Sequence, residues 1–257
     1  MSANNRVSKE TILHDLRQLG VQSGMELLVH SSLSRIGYVE GGADTVIDAL
    51  LKAVDPAEGT LLVPTLTGTS ADSAEQPPFF DVKASQCWTG VIPETMRLRE
   101  DAVRSLSPTH SVAAIGRNAF DLTRGHEDCW TTCGFGSPYY RLCRRRGAIL
   151  LLGVTLESNT TFHTVEEVVG VPYHLQPKPV TCTMTDEQGR SIVRSTMLHD
   201  WGTPRNFSVL EAPLLAEGIM KAGRIGHADC FLIDAESFLA YSTDQLQSNP
   251  RLLTAQS

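Results

Sequence analysis

Met25-Glu-Leu-Leu-Val29, the polar loop His30-Ser-Ser-Leu-Ser-Arg-Ile-Gly37, an apolar face of Val46, Ile47, Leu50, Leu51 and Val54, and Thr60-Leu-Leu-Val63 before Pro64 form the run that decides the fold. Two strand-sized apolar stretches flank one amphipathic helix, which Asp55-Pro56 closes. Strand–helix–strand order of this kind gives parallel strands joined by a crossover helix.

Upstream, Ser8 is placed to cap a helix carrying Ile12, Leu13, Leu16 and Leu19, and Gly20 stops it. Downstream, residues 65–89 carry no periodicity and include Gln76-Pro-Pro78. A stretch that long is a functional lid or holds structure the pattern hides. Helices are expected at Val91–Arg99, around Asn118–Thr123 and at Ser137–Arg146, with strands at Ser111–Ile115 and Ala148–Leu152. Beyond Gly153, Pro179–Met184 and Ser191–Met197 flank the turn tetrad Asp186-Glu-Gln-Gly189 and read as an antiparallel hairpin. A helix at Ser208–Lys221, a strand at Ala228–Ile233 and a last helix from Ala235 complete the chain. No repeat, low-complexity tract or linker interrupts it. The expectation is one integrated domain over residues 1–257, a layered α/β/α fold with a mixed, largely parallel sheet and an antiparallel hairpin in the C-terminal half.

The 257 residues carry 29 acidic and 22 basic side chains, a net charge of −7. That balance offers no basic footprint for nucleic acid or an anionic membrane. Met1–Arg6 has no apolar run behind its positive charge, and no stretch is long enough to span a bilayer. Six scattered cysteines do not make a secreted disulfide framework, so they are expected to be reduced in a cytoplasmic protein. Glu75, Asp81, Glu127 and Asp128 are either a lure for a polycation or ordinary surface acids.

Walker A and dinucleotide-loop patterns are missing, and Gly134-Phe-Gly136-Ser137-Pro138 reads as a capped helix start. Arg141, Arg144, Arg145 and Arg146 fall in a last helical turn, where cations offset the dipole; they could also pair with phosphates. His126, Cys129, Cys133 and Cys143 match none of the usual zinc spacings, and no metal is expected. The segment Glu157–Glu167 follows a strand, where open α/β folds place ligands. With Thr160 or Thr161 as cap, His163 and Glu166 stand three apart on one helix face. A carboxylate there takes the Nδ1 proton and leaves Nε2 as a base, although a solvated His–Glu pair has the same spacing. Ser31, Ser32, Leu33, Ser34 and Arg35 form a loop suited to a diphosphate or a pantetheine arm, or an ordinary Ser-rich turn. Arg104-Ser-Leu-Ser-Pro-Thr-His-Ser111 likewise gathers hydroxyls, a guanidinium and an imidazole before a strand.

Taken in order, these segments resemble the antibiotic N-acetyltransferase family, to which the aminoglycoside 3-N-acetyltransferases belong. The matching residues are His30-Ser-Ser-Leu33 with Gly37, Pro64-Thr65, Thr89-Gly-Val-Ile-Pro-Glu94, Arg104-Ser105 and Ser107-Pro-Thr-His-Ser111. Ala113-Ala114 and Gly116, Gly136-Ser-Pro138 with Arg141-Leu142, Leu151-Leu-Gly-Val154, Asn159-Thr160, His163, Glu166, Arg205-Asn-Phe207 and Gly226-x-Ala228 continue the set. The resemblance implies acetyl transfer from acetyl-CoA to a primary amine of an aminoglycoside or aminoglycoside-like molecule. It implies His163 as base, Glu166 as its orienting partner and Thr160 beside them. It puts the acetyl-CoA side on Ser31, Ser32, Leu33, Ser34 and Arg35 and on Arg104, Ser105, Thr109, His110 and Ser111. Two departures stand out. Phe80–Trp88 replaces a Met-Pro-Ser-Ser-type stretch of many relatives, which bears on the acceptor, and position 107 is Ser where relatives often have His. An acetyl-CoA-binding protein without turnover and a CoA thioester hydrolase are the alternatives.

Overall fold

The computed structural model describes residues 6–255; the leaderless reading of the first five residues lies outside them. The chain opens with β1 (Arg6–Val7), α1 (Lys9–Leu19), β2 (Glu26–Ser31), α2 (Leu33–Ile36), β3 (Tyr38–Val39), α3 (Gly42–Val54) and β4 (Thr60–Pro64). It continues through β5 (Phe79–Asp81), α4 (Val91–Arg97), β6 (Val103–Arg104), β7 (Val112–Gly116), α5 (Ala119–Thr123), α6 (Pro138–Arg144) and β8 (Ala148–Leu152). α7 (Thr161–Val169), β9 (Val180–Thr185), β10 (Ser191–Thr196), α8 (Glu211–Ala216), β11 (Met220–Ile225), β12 (Ala228–Asp234) and α9 (Ala235–Ser248) follow.

Helix ends obey local chemistry. The Ser8 side chain accepts from Thr11 N, and Gly20, at φ 116°, returns its N–H to the carbonyls of Leu16 and Arg17. Ser137 accepts from Tyr140 N with Pro138 at the first helical position, so the Gly-Ser-Pro stretch is a helix start.

Seven strands form the main sheet in the order β11-β12-β8-β2-β4-β7-β6. β8, β2 and β4 pair in parallel, while β7, β6, β12 and β11 join antiparallel. The sheet is mixed as expected, but its parallel part is confined to the three central strands. Leu27–Val29, Leu61–Val63 and Ile149–Leu152 are fully buried because both sheet faces are covered. α1, α3 and α4 bury Ile12, Leu16, Val46 and Leu50 on one face. α5, α6, α7 and α9 bury Leu122, Leu142, Phe162 and Phe238 on the other, which completes the three layers. Each such side chain contributes about 1.5–3 kcal/mol by leaving water.

Two elements depart from the sequence expectation. The helix expected over Ser208–Lys221 stops at Ala216, Gly218 turns at φ 69°, and β11 begins at Met220. β11 is an edge strand whose Lys221 and Arg224 face solvent, so it lacks a hydrophobic period. Within residues 65–89, Phe79–Asp81 pairs in parallel with β9, and the expected β9–β10 hairpin becomes a three-stranded sheet. No helix among the described residues is long and apolar enough to cross a membrane. All six cysteines are free thiols.

Candidate active site

The C-terminal ends of β2, β4 and the loop after β8 meet at a cavity of about 390 Å³, lined by Ser31, Pro64 and Val154 from those three segments. α7 supplies its reactive wall. Asn159, not Thr160 or Thr161, caps this helix: its Oδ1 accepts from Thr161 N at 3.1 Å, while Thr160 already has helical φ and ψ. Thr160 and His163 then face the cavity, and Glu166 lies behind them, wholly buried.

His163 Nδ1 lies 2.8 Å from Glu166 Oε2. The same carboxylate accepts from Arg205 Nε at 2.8 Å through Oε1, and His174 Nδ1 is 3.0 Å from Oε2. Next along the chain, Glu167 points the other way. It accepts from Cys133 N at 3.0 Å and lies 2.7 Å from His199 Nε2 and 3.3 Å from His174 Nε2. Two buried carboxylates thus hold three imidazoles and a guanidinium. Burial alone would raise Glu166 and Glu167, but hydrogen bonds and charge from the histidines outweigh it and hold both far below the usual carboxylate range. Burial would lower His174, yet its two carboxylate partners raise it. His199 falls to about 3, through burial first and the neighbouring His174 second. Burial also lowers His163 despite the support of Glu166, so its ring is the neutral, proton-accepting form at neutral pH. Its side chain is 18% exposed, and no protein group among the described residues bonds Nε2.

Residues 28–247 match the family model described as aminoglycoside 3-N-acetyltransferase. The chain belongs to that family. Aminoglycoside N(3)-acetyltransferase IX of Micromonospora chalcea is 31% identical, with 94% of each chain covered. Aminoglycoside N(3)-acetyltransferase III of Salmonella is 32% identical over 94% of this chain and 92% of its own. The structure of AAC-IIIb in a binary complex with CoASH superposes at TM-score 0.83, 27% identical, covering 98% of this chain and 99% of that one.

In this acetyltransferase the segments expected on the cofactor side divide. Ser31 lines the cavity beside His163. Ser31, Ser32, Leu33 and Ser34 border one open groove with Gly90–Ile92, and Ser32 and Arg35 border a second with Gly153–Thr155. Ser32 and Ser34 Oγ lie 3.2 Å apart. The Arg104–Ser111 segment is bonded differently. Arg104 is 6% exposed; its Nε reaches Thr65 and Ser111 hydroxyls, and its terminal nitrogens donate to the carbonyls of Val82, Ser85 and Thr65. Ser105 accepts from Val112 N and meets His126, while Ser111 donates to Thr65 O. These groups bond to one another and to backbone carbonyls inside the protein. Thr109 bonds His110 at 2.8 Å, and the buried His110 ring packs 4.1 Å from that of His199, so both join the histidine cluster instead.

The remaining candidates settle simply. Arg145 pairs with the buried Glu26, Arg141 donates to carbonyls of Asp121 and Arg124, and Arg146 pairs with Glu236. His126 spends both nitrogens on Ser105 and Thr132. Among the described residues, the groupings with metal-like spacing are His110, Cys133 and His199, and His163, His174 and His199. In the second, both His174 nitrogens face carboxylates, which favours a proton there. Glu157 is the one carboxylate in the cavity lining and accepts from Ser208; Glu75, Asp81, Glu127 and Asp128 are not part of that lining. Residue-level reading passes over Asn159, Glu167, His174, His199 and Arg205 as site groups. Adjacency to Glu166 marks Glu167, but nothing local marks the histidines.

Proposed function

We propose that this acetyltransferase moves the acetyl group of acetyl-CoA to a primary amine of an aminoglycoside or aminoglycoside-like molecule, with His163 as general base. The observation that carries this is one ring: Nδ1 tied to a buried carboxylate, Nε2 unbonded, and the side chain on a cavity at the strand ends. The relatives support the two substrates. AAC-IIIb was solved with CoASH, AAC(3)-IVa with apramycin as a histidine-to-alanine variant, and AAC-VIa with sisomicin.

In this reading the amine nitrogen attacks the thioester carbonyl carbon while His163 Nε2 takes its proton. The carbon–sulfur bond then breaks, and the imidazolium returns the proton to the leaving thiolate. Glu166 stabilises the imidazolium without leaving its own contacts, because Arg205 and His174 fix it. Thr160 borders the same cavity and supplies a hydroxyl beside the reacting groups. The Ser31–Arg35 loop binds the donor, its hydroxyls and guanidinium bordering the grooves that flank the cavity. No step requires a metal, and the chain works as one integrated domain in the cytoplasm.

A thiol-release assay with acetyl-CoA against an amine panel that includes several aminoglycosides tests the proposal. Thiol release that depends on an amine supports it. Release without amine makes the protein a CoA thioester hydrolase, and acetyl-CoA binding without release makes it a binding protein.

A further inference from the structure

Two indoles stand at the cavity with much of their surface in water. Trp88 is 55% exposed and Trp201 44%, and both line the space that His163 faces. A folded chain gains by covering an indole, so two exposed ones on one concave site mark a place for a ligand. Trp88 is also held still. Its main-chain N–H donates to Leu66 O at 3.1 Å, and its Nε1 donates to Gly68 O at 2.9 Å. Gly68 is fixed in turn: its N–H donates to Thr109 O at 3.1 Å, and a Cβ there would come 2.6 Å from Thr109 Cβ. The unpatterned stretch 65–89 thus ends in an anchored side chain. Trp201 sits in a turn where Gly202 N donates to Asp200 Oδ1 at 2.8 Å. Its ring lies nearly parallel to the buried His110 ring, at 20° and 6.5 Å.

Charge around the cavity is sparse by comparison. Glu157 is the one carboxylate in the lining, and its Oε1 already accepts from Ser208 N at 2.8 Å and Ser208 Oγ at 2.9 Å. Neither indole borders the two outer grooves along the Ser31–Arg35 loop. We propose that Trp88 and Trp201 set the acceptor specificity, holding the ring that bears the reacting amine by its C–H face, with Glu157 as the single ion-pair partner for a neighbouring ammonium. This rests on the acetyl-transfer reading, in which the amine comes within reach of His163 Nε2 and its ring therefore lies in this cavity. An amino sugar or aminocyclitol ring has faces rich in C–H bonds, and an indole covers such a face without requiring a fixed pattern of hydroxyls. The indole face also attracts an ammonium beside it. A linear polyamine carries as many charges but has no face to present, so it is the amine this wall rejects.

The chain holds three tryptophans, and the third, Trp130, is exposed but is not part of the cavity lining. Acrylamide quenching of tryptophan fluorescence, read on the full-length protein with CoASH present, therefore reports the contact without turnover. Sisomicin, apramycin and cyclohexylamine serve as ring-bearing probes, and spermine as the linear one. A ring-bearing probe should protect the fluorescence saturably in the wild type and in Trp130→Phe. Protection should vanish in the double variant Trp88→Phe/Trp201→Phe, where only Trp130 emits, and spermine should protect none of them. In steady state, Trp88→Ala and Trp201→Ala should each raise KM for the protecting amine roughly ten- to a hundred-fold, with kcat and KM for acetyl-CoA nearly unchanged. Glu157→Gln should raise it only about threefold. Melting temperatures should hold in both alanine variants, since each indole is largely in water. No saturable protection by any ring-bearing probe, equal protection by spermine, or an unchanged KM for the amine in both alanine variants overturns the proposal. Wild-type protein that releases no thiol with any amine overturns the acetyl-transfer reading itself, and the quenching then still decides the aromatic contact.

Discussion

Arg104 and Glu166 are the centres of two buried charged networks, and they differ in what they leave over. Arg104 is surrounded by carbonyls and hydroxyls of Thr65, Val82, Ser85 and Ser111, with its guanidinium 4.7 Å from the Phe80 ring centroid. Burial lowers it to about 10, so it stays charged at neutral pH. It ties β4, β6 and the loop below β5 together and offers no free atom to a ligand. The Glu166–Glu167 network is as deeply buried and as fully bonded at its carboxylates, yet it ends in His163 Nε2 at a cavity. Charge and burial do not separate a brace from a site. The unspent atom at the network's edge does.

The sharpest way to break this comparison is to remove that edge. His163→Ala should lower turnover by roughly 10²–10⁴-fold, the range for loss of a general base. Acetyl-CoA affinity, measured by calorimetry, should be unchanged, and so should thermal stability, since Glu166 keeps Arg205 and His174. Near-normal turnover in the folded variant would reduce His163 to a helix-face partner of Glu166.

Arg104→Met tests the other network and should reverse the pattern. Losing the guanidinium leaves several buried acceptors unmet at about 1–3 kcal/mol each, so unfolding free energy should drop by about 3 kcal/mol or more in a urea titration. KM for acetyl-CoA should hold in the protein that remains folded. A selective loss of acetyl-CoA affinity, with stability intact, would restore Arg104 to the cofactor side.

What the residues reveal on their own follows the same division between local and distant causes. The β2–α3–β4 unit was legible because Leu27–Val29 and Leu61–Val63 are buried on both faces, so each is an unbroken apolar run. The contact between His163 and Glu166 was legible because three residues along a helix is a local relation. β11 was not, since an edge strand carrying Lys221 and Arg224 has no period to read. β5 was not, since three residues become a strand only by borrowing β9. His174, His199 and Arg205 reach Glu166 and Glu167 through the tertiary fold, which leaves no spacing to detect. Arg104 shows the limit of composition: a guanidinium among hydroxyls has two meanings, and only the fold shows that this one is buried.

Arg35 sharpens the comparison from the exposed side. Arg35 borders an open groove, and its guanidinium makes no hydrogen bond to other side chains among the described residues, unlike those of Arg104 and Arg145. Charge-assisted contacts contribute about 1.5–3 kcal/mol, so Arg35→Ala should weaken CoA binding roughly ten- to a hundred-fold in a calorimetric titration. Arg145→Ala is the control, because Arg145 is bound to Glu26 and is not part of the groove lining. Loss of binding in the control alone would move the cofactor to the end of α6.

Glu166→Gln should give the smallest and most diagnostic change. The carboxylate supports the protonated form of His163, and burial opposes it; the balance already lies below the ordinary histidine value. Removing the negative charge takes away only the support. The acidic limb of the pH–rate profile should therefore move further down, by about one pH unit, equivalent to about 1.4 kcal/mol. Above that limb, kcat should also fall, because an amide can donate to Nδ1 and place the imidazole proton on Nε2, the atom that must accept. Stability should fall at neutral pH and less at acid pH. A carboxyl held far below its unfolded value contributes fully above about pH 4.5, and that contribution fades as pH drops. Asp at the same position keeps the charge but shortens the reach, so Glu166→Asp should leave the limb nearer its original place while still lowering kcat. An unmoved limb with full activity in Glu166→Gln would make the two networks alike after all, both of them braces, with His163 standing beside one by packing alone.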